Sequence, residues 1–198
     1  MDIQEPGFWR AGAIATTAVM LVVLAFLSID SSFAIETGGT HVPDYTVINQ
    51  RIGYQYNWTL HEDAPVIGGS QPLFGKVYTE AEATALMNRA KLVIQSRNCM
   101  NCHTFFGNGA YYAPDLTKSW LDPAWHQIFM PMTGAKTQEQ AMVMFLMDPP
   151  AYPTWNREMP NLHLTEQDAQ AVVAYLKWMS AINTNGFPAN FGMQGEKP

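Results

Sequence analysis

The sequence holds two cysteines, Cys99 and Cys102, and a histidine follows the second directly: Cys99-Met100-Asn101-Cys102-His103. C-x-x-C-H is the attachment pattern of c-type haem. The spacing has a chemical reason. Two thiols one turn apart each add to a vinyl group of the same porphyrin, and the adjacent imidazole falls under the iron. Other uses of the pair fit less well. Structural zinc takes about four ligands, usually from further Cys or His at regular spacing. A thioredoxin-type pair wants a βαβ context, whereas the flanks here carry helical periodicity. Two cysteines also cannot build a disulfide scaffold.

With His103 as one axial ligand, the opposite face of the iron takes a thioether, a second imidazole or nothing. Met159 is the leading candidate. It stands in a loop, Arg157-Glu158-Met159-Pro160-Asn161-Leu162, where Pro160 stiffens the backbone around the sulfur. Met130 and Met132 compete less well, and Met142, Met144 and Met147 fall in a helical pattern that suggests packing. His126 and His163 would give a bis-histidine iron, but loop histidines usually face solvent; His41 and His61 lie farther up the chain. Ala113-Pro114-Asp115-Leu116 offers a carbonyl, that of Pro114, to receive the second ring N–H of His103 and fix its orientation. Phe105, Phe106, Tyr111, Tyr112, Trp120 and Trp155 are aromatic enough to cover a porphyrin, and core packing explains each equally well.

The elements that must hold these groups come in three zones: 1–35, 36–78 and 79–198. From Ala11 to Ile29 no residue is charged. That run, about 28 Å long as a helix, approaches the ~30 Å hydrocarbon core of a bilayer. Arg10 precedes it and the next basic residue is Arg51, which places the N-terminus in the cytoplasm and the remainder outside. A cleaved leader ending at Ser32-Phe33-Ala34 is the alternative, disfavoured by the acidic Asp2 and Glu5 and by the length of the run; it exports the remainder equally. In zone 36–78, Ile52, Tyr54, Tyr56, Trp58 and Leu60 alternate with small or polar residues, a strand signal, and Gly68-Gly69-Ser70 reads as a turn or linker. Beyond residue 79 helices dominate. Thr79 with Glu82 forms a capping box ahead of Ala83, Leu86, Met87, Ala90 and Ile94. Thr137 with Gln140 opens a second helix, ended by Pro149-Pro150, and Thr165 caps a third bearing Ala169, Val172, Val173 and Leu176.

Composition narrows the setting. Charged residues make up 14% of the 198 and the net charge is −6. The chain has no basic run to displace counterions from a nucleic acid. A charge density well below the roughly 25% of soluble proteins suggests a surface kept against a partner or a membrane.

The order helix, C-x-x-C-H, Pro-x-Leu, Met-Pro loop and terminal amphipathic helix resembles class I cytochrome c. The stretch from Asn98 to Trp120 (NCMNCHTFFGNGAYYAPDLTKSW), the N-terminal anchor, MPNL at 159–162 and INTNGFP at 182–188 resemble more closely the small cytochrome c subunit of bacterial nitric oxide reductase. The resemblance implies a mostly α fold: a single transmembrane helix and a class I cytochrome c-like haem domain, joined by a short β-containing zone. It implies one covalent haem c on Cys99 and Cys102 with iron ligands His103 and Met159, in the bacterial inner membrane with the haem domain in the periplasm. It further implies a large haem b/non-haem iron subunit that turns two NO into N2O, with a soluble periplasmic cytochrome c or small copper protein as electron donor. Backbone carbonyls of Gly109 and Tyr111 would approach a calcium ion at the subunit interface. No catalytic centre is expected in this chain itself. A free-standing anchored shuttle, electron input to another haem-copper-type oxidase, and a haem-based sensor or peroxidase are the alternatives. The aromatic, charge-poor zone 36–78 is the expected face for the large subunit.

Overall fold

The computed structural model describes residues 6–38, 42–153 and 158–189. Its chain divides into two units, Met1–His41 and Val42–Pro198. The first is helix α1 (Pro6–Gly38). It opens on Pro6, whose missing N–H costs nothing in a first turn. The stretch Pro6–Ala34 is long and apolar enough to cross a membrane, and Ile14, Leu21, Phe26 and Phe33 are all exposed along it. A helix apolar on every face with none of it buried has no stable place in water, and a bilayer supplies one. The helix outruns the apolar stretch 11–29 at both ends because nothing before Gly38 breaks it.

The second unit begins with a 3-10 turn (Tyr45–Asn49) and a hairpin of β1 (Gln50–Asn57) and β2 (Glu62–Ser70). The expected strand is shorter than its alternation suggested. Trp58 and Leu60 lie in the turn and are exposed, because the Asn57 side chain accepts from the N–H groups of Thr59 and Leu60 and folds the chain back. Gly68-Gly69-Ser70 is not a linker but the end of β2. Gln50 pairs with Ser70 and Ile52 with Ile67, so the register slips there. A bulge of this kind suits glycine, and a Cβ on Gly68 would meet the Arg51 side chain at 3.1 Å.

Helices α2 (Glu80–Ser96), α3 (Met130–Thr133), α4 (Gln138–Met147) and α5 (Glu166–Ser180) complete the unit. A π-helical turn, Trp125–Phe129, leads into α3. Local chemistry sets the starts of α2, α4 and α5: Thr79, Thr137 and Thr165 accept from the backbone N–H of Glu82, Gln140 and Asp168, and Glu82 returns the bond to Thr79. Helix α5 packs on both α2 and α4. Met87, Ala90 and Ile94 of α2, Met142 of α4, and Val172, Val173 and Leu176 of α5 are buried. Each large member contributes roughly 1.5–3 kcal/mol, and fully buried Ala83, Ala90, Ala169 and Ala174 let the axes approach. Arg89 of α2 pairs with Asp168 at 2.8 Å, at the first turn of α5.

Two lysines complete the core. Lys177 donates to the carbonyls of Ile48 and Gln71, each at 2.8 Å. Lys118 donates to those of Ser180 and Ile182 at 3.2 and 2.6 Å. With the Trp178 indole on the Pro43 carbonyl, they tie the hairpin segment and the end of α5 into one body.

Candidate functional site

Helix α2 delivers the cysteines. Past Ser96 the chain reverses at Asn98, which sits in the left-handed region (φ 53°, ψ 40°) that asparagine tolerates. The 3-10 turn Cys99–Asn101 follows, and both Cys102 and His103 donate backbone N–H groups to the Cys99 carbonyl, at 3.2 and 3.0 Å. Both cysteines are half-buried, one turn apart, and form no disulfide with each other. Burial raises the Cys99 thiol above its ordinary value.

His103 is fixed from behind. Its Nδ1 lies 2.8 Å from the Pro114 carbonyl. Donation from Nδ1–H there leaves the Nε2 lone pair as the ligating atom, a tautomer assigned from this contact. Burial lowers the His103 pKa, favouring the neutral imidazole that binds metal. Pro114 is itself held. Ala113 donates to the Cys102 carbonyl at 2.8 Å and Leu116 to that of Thr104 at 2.9 Å. The Thr104 hydroxyl donates to Asp115 at 2.6 Å, and the Thr117 hydroxyl receives the Phe106 N–H at 2.8 Å.

Between motif and loop stands a miniature hairpin, β3 (Thr104–Phe105) with β4 (Asn108–Gly109). Its two-residue turn has φ 51° at Phe106 and 76° at Gly107, the sign that a type I′ hairpin requires and that strains a phenylalanine. Gly109 has φ 127°, and a Cβ there would fall 2.3 Å from the His103 carbonyl oxygen. Gly109→Ala is therefore expected to lower stability by about 1–3 kcal/mol and to shift the His103 backbone. Thermal melting, with absorption spectroscopy of the haem-loaded protein, checks both.

One cavity of about 860 Å³ gathers the predicted groups: Cys99, Cys102, His103, Pro114 and Met159 all line it. Its walls are mostly apolar, with Ile94, Leu116, Leu146, Leu162, Val172 and Leu176 among them, and its charged lining groups among the described residues are Arg97, Asp115, Asp122 and Glu158. The volume lies at the upper end of the range for ligand and cofactor sites.

Other candidates separate cleanly. Met130, Met132, Met144, Met147, His61, His126 and His163 do not line the cavity. Met144 and Met147 also depart from the packing read from their helical pattern, being 37% and 38% exposed; α4 buries Ala141, Met142 and Val143 instead. Met142 does line the cavity, but it is fully buried in mid-helix with the Gln138 amide 3.9 Å from its sulfur. Met159 sits in irregular chain and is half-buried. Of the aromatics, Phe105, Tyr111 and Tyr112 line the cavity, while Phe106 and Trp120 do not. His41 and Trp155 lie outside the described residues.

Sequence reasoning missed the wall formed by Trp125, Phe129 and Phe145. Ring centroids are 4.5 Å apart for Trp125–Phe129 and 4.9 Å for Phe129–Phe145. The Trp125 indole is anchored on the Ser119 carbonyl at 2.7 Å. A spacing of four between Trp125 and Phe129 was the available signal, masked by the flanking Pro123 and Pro131. Among the described residues no three His, Cys, Asp or Glu side chains converge on a metal position. Gly109 and Tyr111 are exposed, and the Tyr111 hydroxyl donates to the Gly107 carbonyl at 2.9 Å.

A cytochrome c family model matches residues 87–180. Curated relatives named as the C subunit of nitric oxide reductase are also similar to this chain. That of Stutzerimonas stutzeri is 31% identical over 121 residues, 61% of this chain and 77% of the relative. Those of Cereibacter sphaeroides and Paracoccus denitrificans are 31% identical over 101 residues and 29% over 115. These matches cover 50% and 58% of this chain, and 64% and 73% of the relatives.

Proposed function

The chain belongs to the family of nitric oxide reductase C subunits, and on that premise we propose that it is the electron-input member of a nitric oxide reductase. It takes electrons from a soluble periplasmic cytochrome c or small copper protein and passes them to a large haem b/non-haem iron subunit, where two NO, two electrons and two protons become N2O and water. The observation that carries this reading is the convergence of two thiols, an oriented imidazole and a loop thioether on one apolar cavity.

The residues present fit a covalently tethered porphyrin, which supplies reversible one-electron chemistry when bound. Cys99 and Cys102 would hold it by thioether bonds. His103, oriented by the Pro114 carbonyl, would ligate the iron through Nε2, and Met159 would supply the second ligand. Trp125, Phe129 and Phe145 line the cavity and would keep water from the bound group, which would favour the less charged, reduced iron. With His103 and Met159 as its ligands the iron would offer no position to NO, so the reaction would belong to the partner.

Within this reading residues 1–35 anchor the chain, 36–78 face the large subunit and 79–198 form the haem domain, with Arg10 on the cytoplasmic side. Exposed Tyr56, Trp58, Leu60, Val66 and Ile67 support a partner face on the hairpin. Calcium takes six to eight oxygen ligands; the carbonyls of Gly109 and Tyr111 would give two, and the partner the remainder.

Gentle solubilisation and purification of this chain tests the proposal. The expected companion is a large membrane protein with haem b and non-haem iron. Recovery of a lone haem protein of this chain's mass would overturn it.

A further inference from the structure

The segment that orients His103 also carries a charge. Residues 113–116 run alongside the end of the C-x-x-C-H motif. Ala113 donates to the Cys102 carbonyl at 2.8 Å and Leu116 to that of Thr104 at 2.9 Å, and between them the Pro114 carbonyl lies 2.8 Å from His103 Nδ1. Asp115 is therefore held beside the imidazole, and it lines the cavity. Both its oxygens are engaged: the Thr104 hydroxyl donates to Oδ2 at 2.6 Å and the Thr117 N–H to Oδ1 at 2.8 Å. Thr104 and Thr117 are buried, which fixes the half-buried carboxylate against the core.

Both donors are neutral. The ion pairs among the described residues are Lys76–Glu82 and Arg89–Asp168, and Asp115 belongs to neither. Its charge is hydrogen-bonded but not cancelled. Asp122 and Glu158 line the cavity too, yet of the three it is Asp115 whose charge acts on the His103 ring. There burial lowers the imidazole pKa, while the Pro114 bond and the Asp115 charge oppose it. Against an apolar wall such a charge is screened less than in water. The clamp itself does not need it. An asparagine offers the same acceptor to the Thr117 N–H and an amide donor to the Thr104 hydroxyl.

We propose that Asp115 is a positioning residue that lowers the reduction potential of the haem by holding a fixed negative charge beside the axial histidine. This rests on the haem reading above. Reduction removes one unit of positive charge from the iron, so a nearby anion stabilises the oxidised state relative to the reduced one. The effect is opposite in sign to that of the Trp125, Phe129 and Phe145 wall. Two parts of one cavity therefore set the potential against each other. A haem that must hand its electron onward gains driving force from the carboxylate.

The test is redox titration of the haem-loaded full chain, of Asp115→Asn and of Thr104→Val. In Asp115→Asn the equilibrium constant for reduction is expected to rise several-fold, with the methionine–iron absorption band unchanged. Thr104→Val breaks one arm of the clamp and leaves the charge, so its constant is expected to stay near that of the wild type. An unchanged constant in a folded Asp115→Asn, or equal rises in the two variants, would overturn the inference, since Asp115 would then clamp the loop and nothing more. Should Asp115→Asn fail to fold, infrared redox-difference spectra of the wild-type chain with isotope-labelled aspartate decide the matter. A carboxylate stretch that responds to the iron's charge, and that shifts in Thr104→Val, is expected; spectra without an aspartate carboxylate signal are contrary. Absence of covalent haem from the wild-type chain would instead defeat the functional reading on which this rests.

Discussion

Cys99→Ala/Cys102→Ala is expected to yield a chain with no covalent haem and no cooperative thermal unfolding transition. The reasoning starts from the cavity. Protein interiors are packed as densely as organic crystals, and a partly open cavity of about 860 Å³ walled mostly by apolar side chains leaves those walls to water until a cofactor fills it. Covering apolar walls contributes roughly 25 cal/mol for each Å² removed from water, so walls of this extent weigh heavily against a marginal total. Total stabilities run to about 5–15 kcal/mol. A bound porphyrin would thus complete the core, covering Ile94 of α2, Met142 and Leu146 of α4, and Val172 and Leu176 of α5. Without the thioethers, only the bonds from His103 and Met159 would remain, and a porphyrin retained through them would be lost on denaturation. Mass spectrometry after denaturation reads the covalent link, and calorimetry reads the transition. A haem-free variant with a sharp, wild-type-like transition would show that the domain closes without its cofactor.

That dependence explains which parts of the molecule were legible in the sequence. The three helix starts at Thr79, Thr137 and Thr165 rest on bonds between residues three apart, so a short window contains all the information needed. Cys99, Cys102, His103 and Pro114 are legible for a similar reason: a single short stretch holds the motif and its orienting carbonyl. The hairpin was half-legible. Period two marked β1, but β2 runs Glu62-Asp63-Ala64-Pro65-Val66-Ile67 with little alternation, and its glycines imitated a linker while serving a bulge. Lys118 and Lys177 were illegible, because lysine is almost never buried and their carbonyl partners carry no side-chain signature. The wall of Trp125, Phe129 and Phe145 joins a π-turn to α4 across a loop, and only the fold reveals it.

Met159→Ala tests the remaining axial position and carries the second large effect. The native ferrous chain is expected to refuse carbon monoxide, since on the proposed reading His103 and Met159 hold both sides of the iron. Removing the thioether opens one side, so the variant binds carbon monoxide stoichiometrically and loses the methionine–iron absorption band. Its reduction potential falls by on the order of 0.1 V or more, within the ~0.8 V that axial ligands command. Met142 provides the control, because it lines the same cavity from within α4. Met142→Ala removes a fully buried side chain and should cost about 2–5 kcal/mol in stability while leaving the band and the carbon monoxide refusal intact. The two substitutions therefore separate a ligand from a packing residue by opposite signatures: spectrum without much stability for Met159, stability without spectrum for Met142. A Met159→Ala protein that keeps the band and still excludes carbon monoxide would move the sulfur ligand elsewhere. Carbon monoxide binding by the unaltered chain would be more serious, because an open iron is a place for substrate, and this chain would then have chemistry of its own.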